Sequence, residues 1–95
     1  MKFNEQKNIH ELTHYVEGTY SKHYASENGI QSMDLISASG HGVGFCLGNV
    51  LKYASRYGKK EGANRTDLMK IMHYTLLAIN EHDLKEQDET RPTNT

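Results

Sequence analysis

An all-α fold, a small bundle of three to four helices, follows from three features of this sequence. Proline occurs once, at Pro92 in a polar tail, so the interior lacks the strongest helix breaker. Apolar residues recur every three or four positions in successive segments, the period of a helix with one buried side. No stretch alternates apolar and polar residues as a half-buried strand does.

The segments can be taken in order. Ile9, Leu12, Val16 and Tyr20 mark a first helix from Ile9 to Tyr20, with Asn8 as its cap and Gly18 weakening its last turn. Residues 21–30 form a looser stretch, because Asn28-Gly29 is a turn signal. Ser32 then caps a short helix carrying Met33, Leu35 and Ile36, which ends at Ser39-Gly40. The run Gly40-His41-Gly42-Val43-Gly44 is too glycine-rich for a helix interior, so the next helix starts at Val43 or Gly44 and extends to Tyr57. Val43, Leu47, Val50, Leu51, Ala54 and Tyr57 form its apolar stripe, and Gly58 stops it. Asn49, Lys52 and Arg56 share a second face. After a charged loop, Thr66 caps a last helix to His82, and Asp67 favours its positive end. Leu68, Ile71, Met72, Thr75, Leu76 and Ile79 are its buried stripe. Residues 1–84 make one helical domain, and 85–95 a disordered acidic and polar tail.

Composition narrows the function classes. The chain has 95 residues, of which 36% are hydrophobic, so its core is small and a homo-oligomer that shares apolar stripes is expected. The net charge of −1 argues against nucleic acid as a partner. Cationic residues nevertheless gather between Lys52 and Lys70: Lys52, Arg56, Lys59, Lys60, Arg65 and Lys70 face only Glu61 and Asp67. No apolar run is long enough to cross a membrane, and the first ten residues are too polar for a secretory leader. A lone cysteine, Cys46, excludes an internal disulfide. Its neighbours Phe45 and Leu47 predict a buried, inert thiol suited to a reducing cytoplasm.

The same segment holds the candidate site. Backbone N–H groups at a helix start, unobstructed at Gly44, suit a phosphate. Gly48 leaves the next turn open, and Asn49, Lys52 and Arg56 extend along one face. Lys59, Lys60 and Arg65 add charge from the loop, Tyr53 and Tyr57 offer rings for a base, and Asp67 offers a carboxylate for Mg²⁺. On the residues alone, the glycines serve equally as a tight turn and the cations as a solvated loop. No Walker loop is present. A second motif lies near the N-terminus. His10-Glu11-Leu12-Thr13-His14 matches H-E-x-x-H, with two zinc ligands and a general base on one helix face. His23, Glu27 and Asp34 are its candidate third ligands.

The string Gly44-Phe45-Cys46-Leu47-Gly48-Asn49-Val50-Leu51-Lys52-Tyr53, then Arg56-Tyr57-Gly58-Lys59-Lys60, Asp67-Leu68, Lys70 and His73-Tyr74 resembles the SaV-like family of small phage proteins. His23-Tyr24 and Met33-Asp34-Leu35-Ile36 fit the same pattern, so the resemblance spans residues 23–77. That family is similar to the C-terminal part of the nucleotide kinase of T7-like phages. The resemblance implies a nucleotide-binding protein of the host bacterial cytoplasm. Its sharpest form is a nucleoside monophosphate kinase that uses ATP and Mg²⁺. Lys52, Arg56, Lys59 and Lys60 would then contact phosphate, Asn49 would orient the substrate, and Asp67 would assist the metal. Lys52, Arg56 and Asp67 would be the catalytic set. The T7-like enzyme has a long extra N-terminal region, so binding without turnover is the companion expectation. Alternatives are a non-enzymatic phage protein that sequesters a host nucleotide signal or binds a host protein, and a zinc hydrolase.

Overall fold

The computed structural model describes the backbone of residues 2–23 and 27–90 and the side chains of residues 2–20 and 32–87. The described residues contain four helices and no strand: α1 (Glu5–His23), α2 (Glu27–Ala38), α3 (Gly42–Arg56) and α4 (Arg65–Thr90). The fold is all-α, as the periodicity predicts.

Local chemistry sets each boundary. Chain reversal at Asn4 (φ 60°) precedes α1, and the Asn8 N–H donates to the Asn4 carbonyl. Asn8 is therefore inside α1 rather than its cap, and Gly18 lies in its interior. Helix α2 begins at Glu27, so Asn28-Gly29 and Ser32 fall within it rather than forming a turn and a cap. Residues 24–26 and residues 91–95 of the tail lie outside the described residues. The end of α2 is a Schellman motif: Gly40 is left-handed (φ 86°), its N–H bonds the Ser37 carbonyl, and the His41 N–H bonds the Ile36 carbonyl. Helix α3 follows at once from Gly42.

Gly58 (φ 81°) stops α3 as expected, and its N–H donates to the Gly62 carbonyl across the loop. Asn64, not Thr66, caps α4: its Oδ1 accepts the Thr66 N–H at 2.9 Å. Helix α4 then runs to Thr90, past the expected end at His82 and through the first part of the segment expected to be disordered.

Helices α3 and α4 share the most extensive packing, as an antiparallel hairpin, and α1 and α2 lie against it. What the hairpin closes on differs from the expectation. The buried residues of α3 are Gly42, Cys46 and Tyr53, and those of α4 include Asp67 and Glu81. The stripes expected to be buried are instead largely open to solvent: Leu47, Leu51, Leu68, Met72, Leu76 and Ile79 are all exposed. The periodicity located an apolar face on each helix correctly but could not tell a face turned to this chain from one turned away.

At the open end of the hairpin, Glu81 fills the space beside Gly42. A β-carbon at position 42 would fall on the Glu81 carboxylate. The carboxylate also accepts the Ser37 hydroxyl at 2.9 Å, so it ties α2 and α4 to the first turn of α3. Its charge lies where the α3 dipole is positive. Gly42→Ala is expected to cost about 1–3 kcal/mol, seen as a lower denaturant midpoint. In a Glu81→Ala background the cost should shrink, because the obstructing carboxylate is gone. Equal costs in both backgrounds would remove this contact as the reason for the glycine.

Cys46 is fully buried. Burial pushes its thiol above the ordinary 9.0, and the nearby Glu81 charge adds to the push. Burial likewise raises Tyr15 and Tyr74 above 10.0. All three prefer their neutral, protonated forms in the folded state. Their contribution is therefore complete below the ordinary values and is lost as pH rises beyond them. The melting temperature should be insensitive to these groups below about pH 9 and fall above it. Cys46→Ala should delay the onset of that fall; an unchanged alkaline limb would contradict the assignment.

Candidate functional site

Tyr53 is the centre of the basic region. Its side chain points inward from α3 and is nearly buried. The ring lies parallel to that of Tyr74 on α4, with centroids 6.0 Å apart and planes inclined by 13°. Three cations surround it: Lys70 Nζ at 4.8 Å from the centroid, Lys52 Nζ at 5.1 Å and the Arg56 guanidinium carbon at 5.9 Å. Lys52 and Arg56 are one turn apart on α3, and the antiparallel register brings Lys70 over from α4. Such placement holds the ammonium groups by the ring's negative face while leaving their remaining donors for a ligand.

Asp67 belongs to the same end of the hairpin. It is 2% exposed, in the first turn of α4, with Oδ1 4.0 Å from Arg56 Nε. That separation is an ion pair rather than a hydrogen bond. Its other oxygen, Oδ2, is buried with no hydrogen-bond partner. As a resident Mg²⁺ ligand Asp67 fits poorly: it is closed from solvent and faces a guanidinium. A magnesium site wants carboxylates with room for several waters. Among the described residues, Asp67 and its neighbours do not make a magnesium centre.

The other sequence candidates divide. Asn49 is half-buried, and its amide donates to the Phe45 carbonyl one turn back at 2.9 Å. Lys59 and Lys60 are exposed at the loop, and both backbone N–H groups bond the Arg56 carbonyl, closing the end of α3. Arg65 is turned to α1, where it grips both oxygens of Glu11 at 2.8 and 2.9 Å and also reaches Asn8. Gly44 and Gly48 are exposed, with nothing near where a β-carbon would stand. The helix start expected to suit a phosphate has the Glu81 carboxylate beside it. Lys70, which the sequence placed in the basic segment but not in the site, is the nearest of the three cations to the Tyr53 ring. The hairpin register would have found it: pairing Arg56 with Asp67 places Tyr53 opposite Lys70.

Two cavities adjoin the Tyr53 cluster. One, of about 310 Å³, is lined by Tyr15, Tyr53 and Lys70 together with Thr19, His73, Tyr74 and Leu77. The other, of about 470 Å³, shares those last four residues and opens toward Phe45, Asp34, Asn80 and Glu81. Phe45 meets the Tyr74 ring edge-on, and Tyr15 meets His73 in the same way. Two aromatic-walled cavities therefore lie side by side, one bordered by Lys70 and the other by Asp34 and Glu81.

The H-E-x-x-H segment lies on α1. His10 and His14 approach to 3.1 Å between Nε2 atoms, both exposed. Glu11, the base such a site needs, is committed to Arg65, which holds its carboxyl below the usual range. Among the described residues, no third His, Cys, Asp or Glu joins the two histidines to form a metal cluster. Asp34 is among those described; the side chains of His23 and Glu27 lie outside them. The one such cluster among the described residues, His82, Asp83 and Glu86, is exposed on the outer part of α4.

Comparison with known proteins is sparse. No curated protein and no solved structure matches the chain. Residues 18–75 match a family described as a protein of unknown function, DUF3310. The matched region runs from the end of α1 to the middle of α4 and holds Lys52, Tyr53, Arg56, Asp67, Lys70 and Tyr74. With more than half of its length matched, and the whole cationic cluster inside the match, this chain belongs to the DUF3310 family.

Proposed function

We propose that the protein binds a nucleotide at the Tyr53 end of the hairpin, with Lys52, Arg56 and Lys70 taking the phosphates. The supporting observation is the convergence of three cations from two helices on one buried ring beside an aromatic cavity. Lone surface lysines have no reason to meet around a tyrosine at a cavity mouth. A base would find flat apolar contact in the cavity walled by Tyr74 and Tyr15. The resemblance to SaV-like phage proteins, and through them to the T7-like nucleotide kinase, supports the same ligand class.

Binding without phosphoryl transfer is the reading that the geometry favours. Transfer depends on positioned charge around the moving phosphoryl group and on metal ions held in register. The cations meet the first need. Asp67, the carboxylate beside Arg56, is buried against it and does not meet the second. A protein of this kind holds a nucleotide out of circulation rather than converting it. The kinase reading rests on the resemblance alone.

A panel of nucleoside mono-, di- and triphosphates, with and without Mg²⁺, tests both. At least one nucleotide should raise the melting temperature, and chromatography should show no diphosphate formed from a monophosphate and ATP. Diphosphate formation would establish the kinase instead. Lys52→Ala, Arg56→Ala and Lys70→Ala should each weaken binding by about 1.5–3 kcal/mol, roughly ten- to a hundredfold. Lys59→Ala and Arg65→Ala, outside the cluster, should change it much less. Equal losses at all five positions would mean diffuse attraction and no site.

A further inference from the structure

From the outward apolar face of the hairpin we infer that two copies of this chain pair through α3 and α4, burying Leu47, Leu51, Leu68, Met72, Leu76 and Ile79 in a shared four-helix core. The inference is independent of the nucleotide reading, because this face is opposite the Tyr53 cluster.

Helix geometry puts the six residues on one side. On α3, Leu47 and Leu51 lie about 120–160° around the helix from Tyr53 at 100° per residue. On α4, the stripe through Leu68, Met72, Leu76 and Ile79 is displaced from Asp67, Tyr74 and Glu81 by a similar angle in the same sequence sense. In an antiparallel pair, equal rotation in sequence sense carries both stripes through the mutual interface to the same outer face. The half-buried Val43 and Val50 of α3 and Ile71 and Ala78 of α4 occupy that interface on the way. The opposite side carries Tyr53 and Lys70, where α1 contributes Tyr15 and Thr19.

The chain by itself leaves this face uncovered at some expense. Among the described residues only Leu12, Cys46 and Tyr53 are buried hydrophobics, while Leu51 is 70% and Ile79 54% exposed. The accessible surface is 7480 Å², against about 5,500 Å² for a compact monomer of this mass. The radius of gyration is 15.8 Å, against about 12 Å expected. Part of the surplus belongs to the outer turns of α4, yet the whole is more than twice the roughly 800 Å² each partner loses in a standard interface.

Two further observations choose a second copy as the occupant. Gly44 and Gly48 stand one turn apart beside Leu47 and Leu51, exposed, with nothing of this chain near their α-carbons. Glycine within a helix costs about 1 kcal/mol relative to alanine, and no intrachain contact here requires it. A helix approaching closely from outside does, and the α3 of a twofold-related copy meets this one there. A bilayer surface is the poorer occupant. Membrane-lying helices carry lysine and arginine along the rim of the apolar face, whereas the Lys52, Arg56 and Lys70 charges are gathered on the far side.

Light scattering on the full chain should give about twice 10.8 kDa, and the melting temperature should rise with protein concentration. Leu51→Glu with Met72→Glu should give a monomer that melts lower. Because that variant can also unfold, Leu51→Cys supplies a second readout: it should crosslink under mild oxidation, while Lys7→Cys on the exposed side of α1 should not. A wild-type mass of 10.8 kDa at all concentrations would overturn the pairing. So would an unchanged oligomer in the double variant, equal crosslinking at both positions, or crosslinking at neither.

Discussion

The α3–α4 hairpin closes on a buried carboxylate at each end, with sulfur and aromatic rings between. Asp67 faces Arg56 where the helices are joined, and Glu81 lies against Gly42 where they part. Cys46, Tyr53 and Tyr74 fill the middle. Burying a carboxylate is costly unless charge or hydrogen bonds offset it. Each of these has a partial offset: Arg56 and the first turn of α4 for Asp67, and the Ser37 hydroxyl and the first turn of α3 for Glu81. Much of the rest follows from this polar seam. It fixes the register, and the register brings Lys70 to Tyr53. It also occupies the inward faces, leaving the aliphatic side chains to face outward.

This arrangement explains how much was legible in the sequence. Helix content, the glycine stops at Gly40 and Gly58 and the buried state of Cys46 are local or nearly local properties, and they were readable. The face bearing Asn49, Lys52 and Arg56 was also readable, because 100° per residue requires no partner. The direction of burial was not. Leu68, Met72, Leu76 and Ile79 have the spacing of a core stripe, and only tertiary packing tells an intrachain core from an outer face. The partner of Arg65 was hidden in the same way. Its place beside the basic loop suggested phosphate, but Glu11, distant in sequence, holds it with two hydrogen bonds. The place of Lys70 beside Tyr53 is illegible for the converse reason, its neighbour being on another helix.

The H-E-x-x-H segment has a structural use in three dimensions. The two histidines do lie together on α1. The glutamate between them has another structural use, as the anchor that ties α1 to the start of α4 through Arg65. An exposed pair of this sort adds about 1 kcal/mol or less, but its two-pronged geometry fixes direction, and direction is what a thin bundle needs where few apolar contacts cross between helices.

The carboxylate beside Gly42 has a consequence for recognition in general. In loops that cradle phosphate with main-chain amides, the grip is built into the polypeptide itself, and substitutions barely alter it. Here the main-chain start of α3 has a carboxylate of its own alongside, so an incoming polyanion is repelled from those amides. An anion held beside Tyr53 would be read by lysine and arginine side chains. A grip made of side chains, unlike one made of amides, could be retuned one residue at a time without altering the fold.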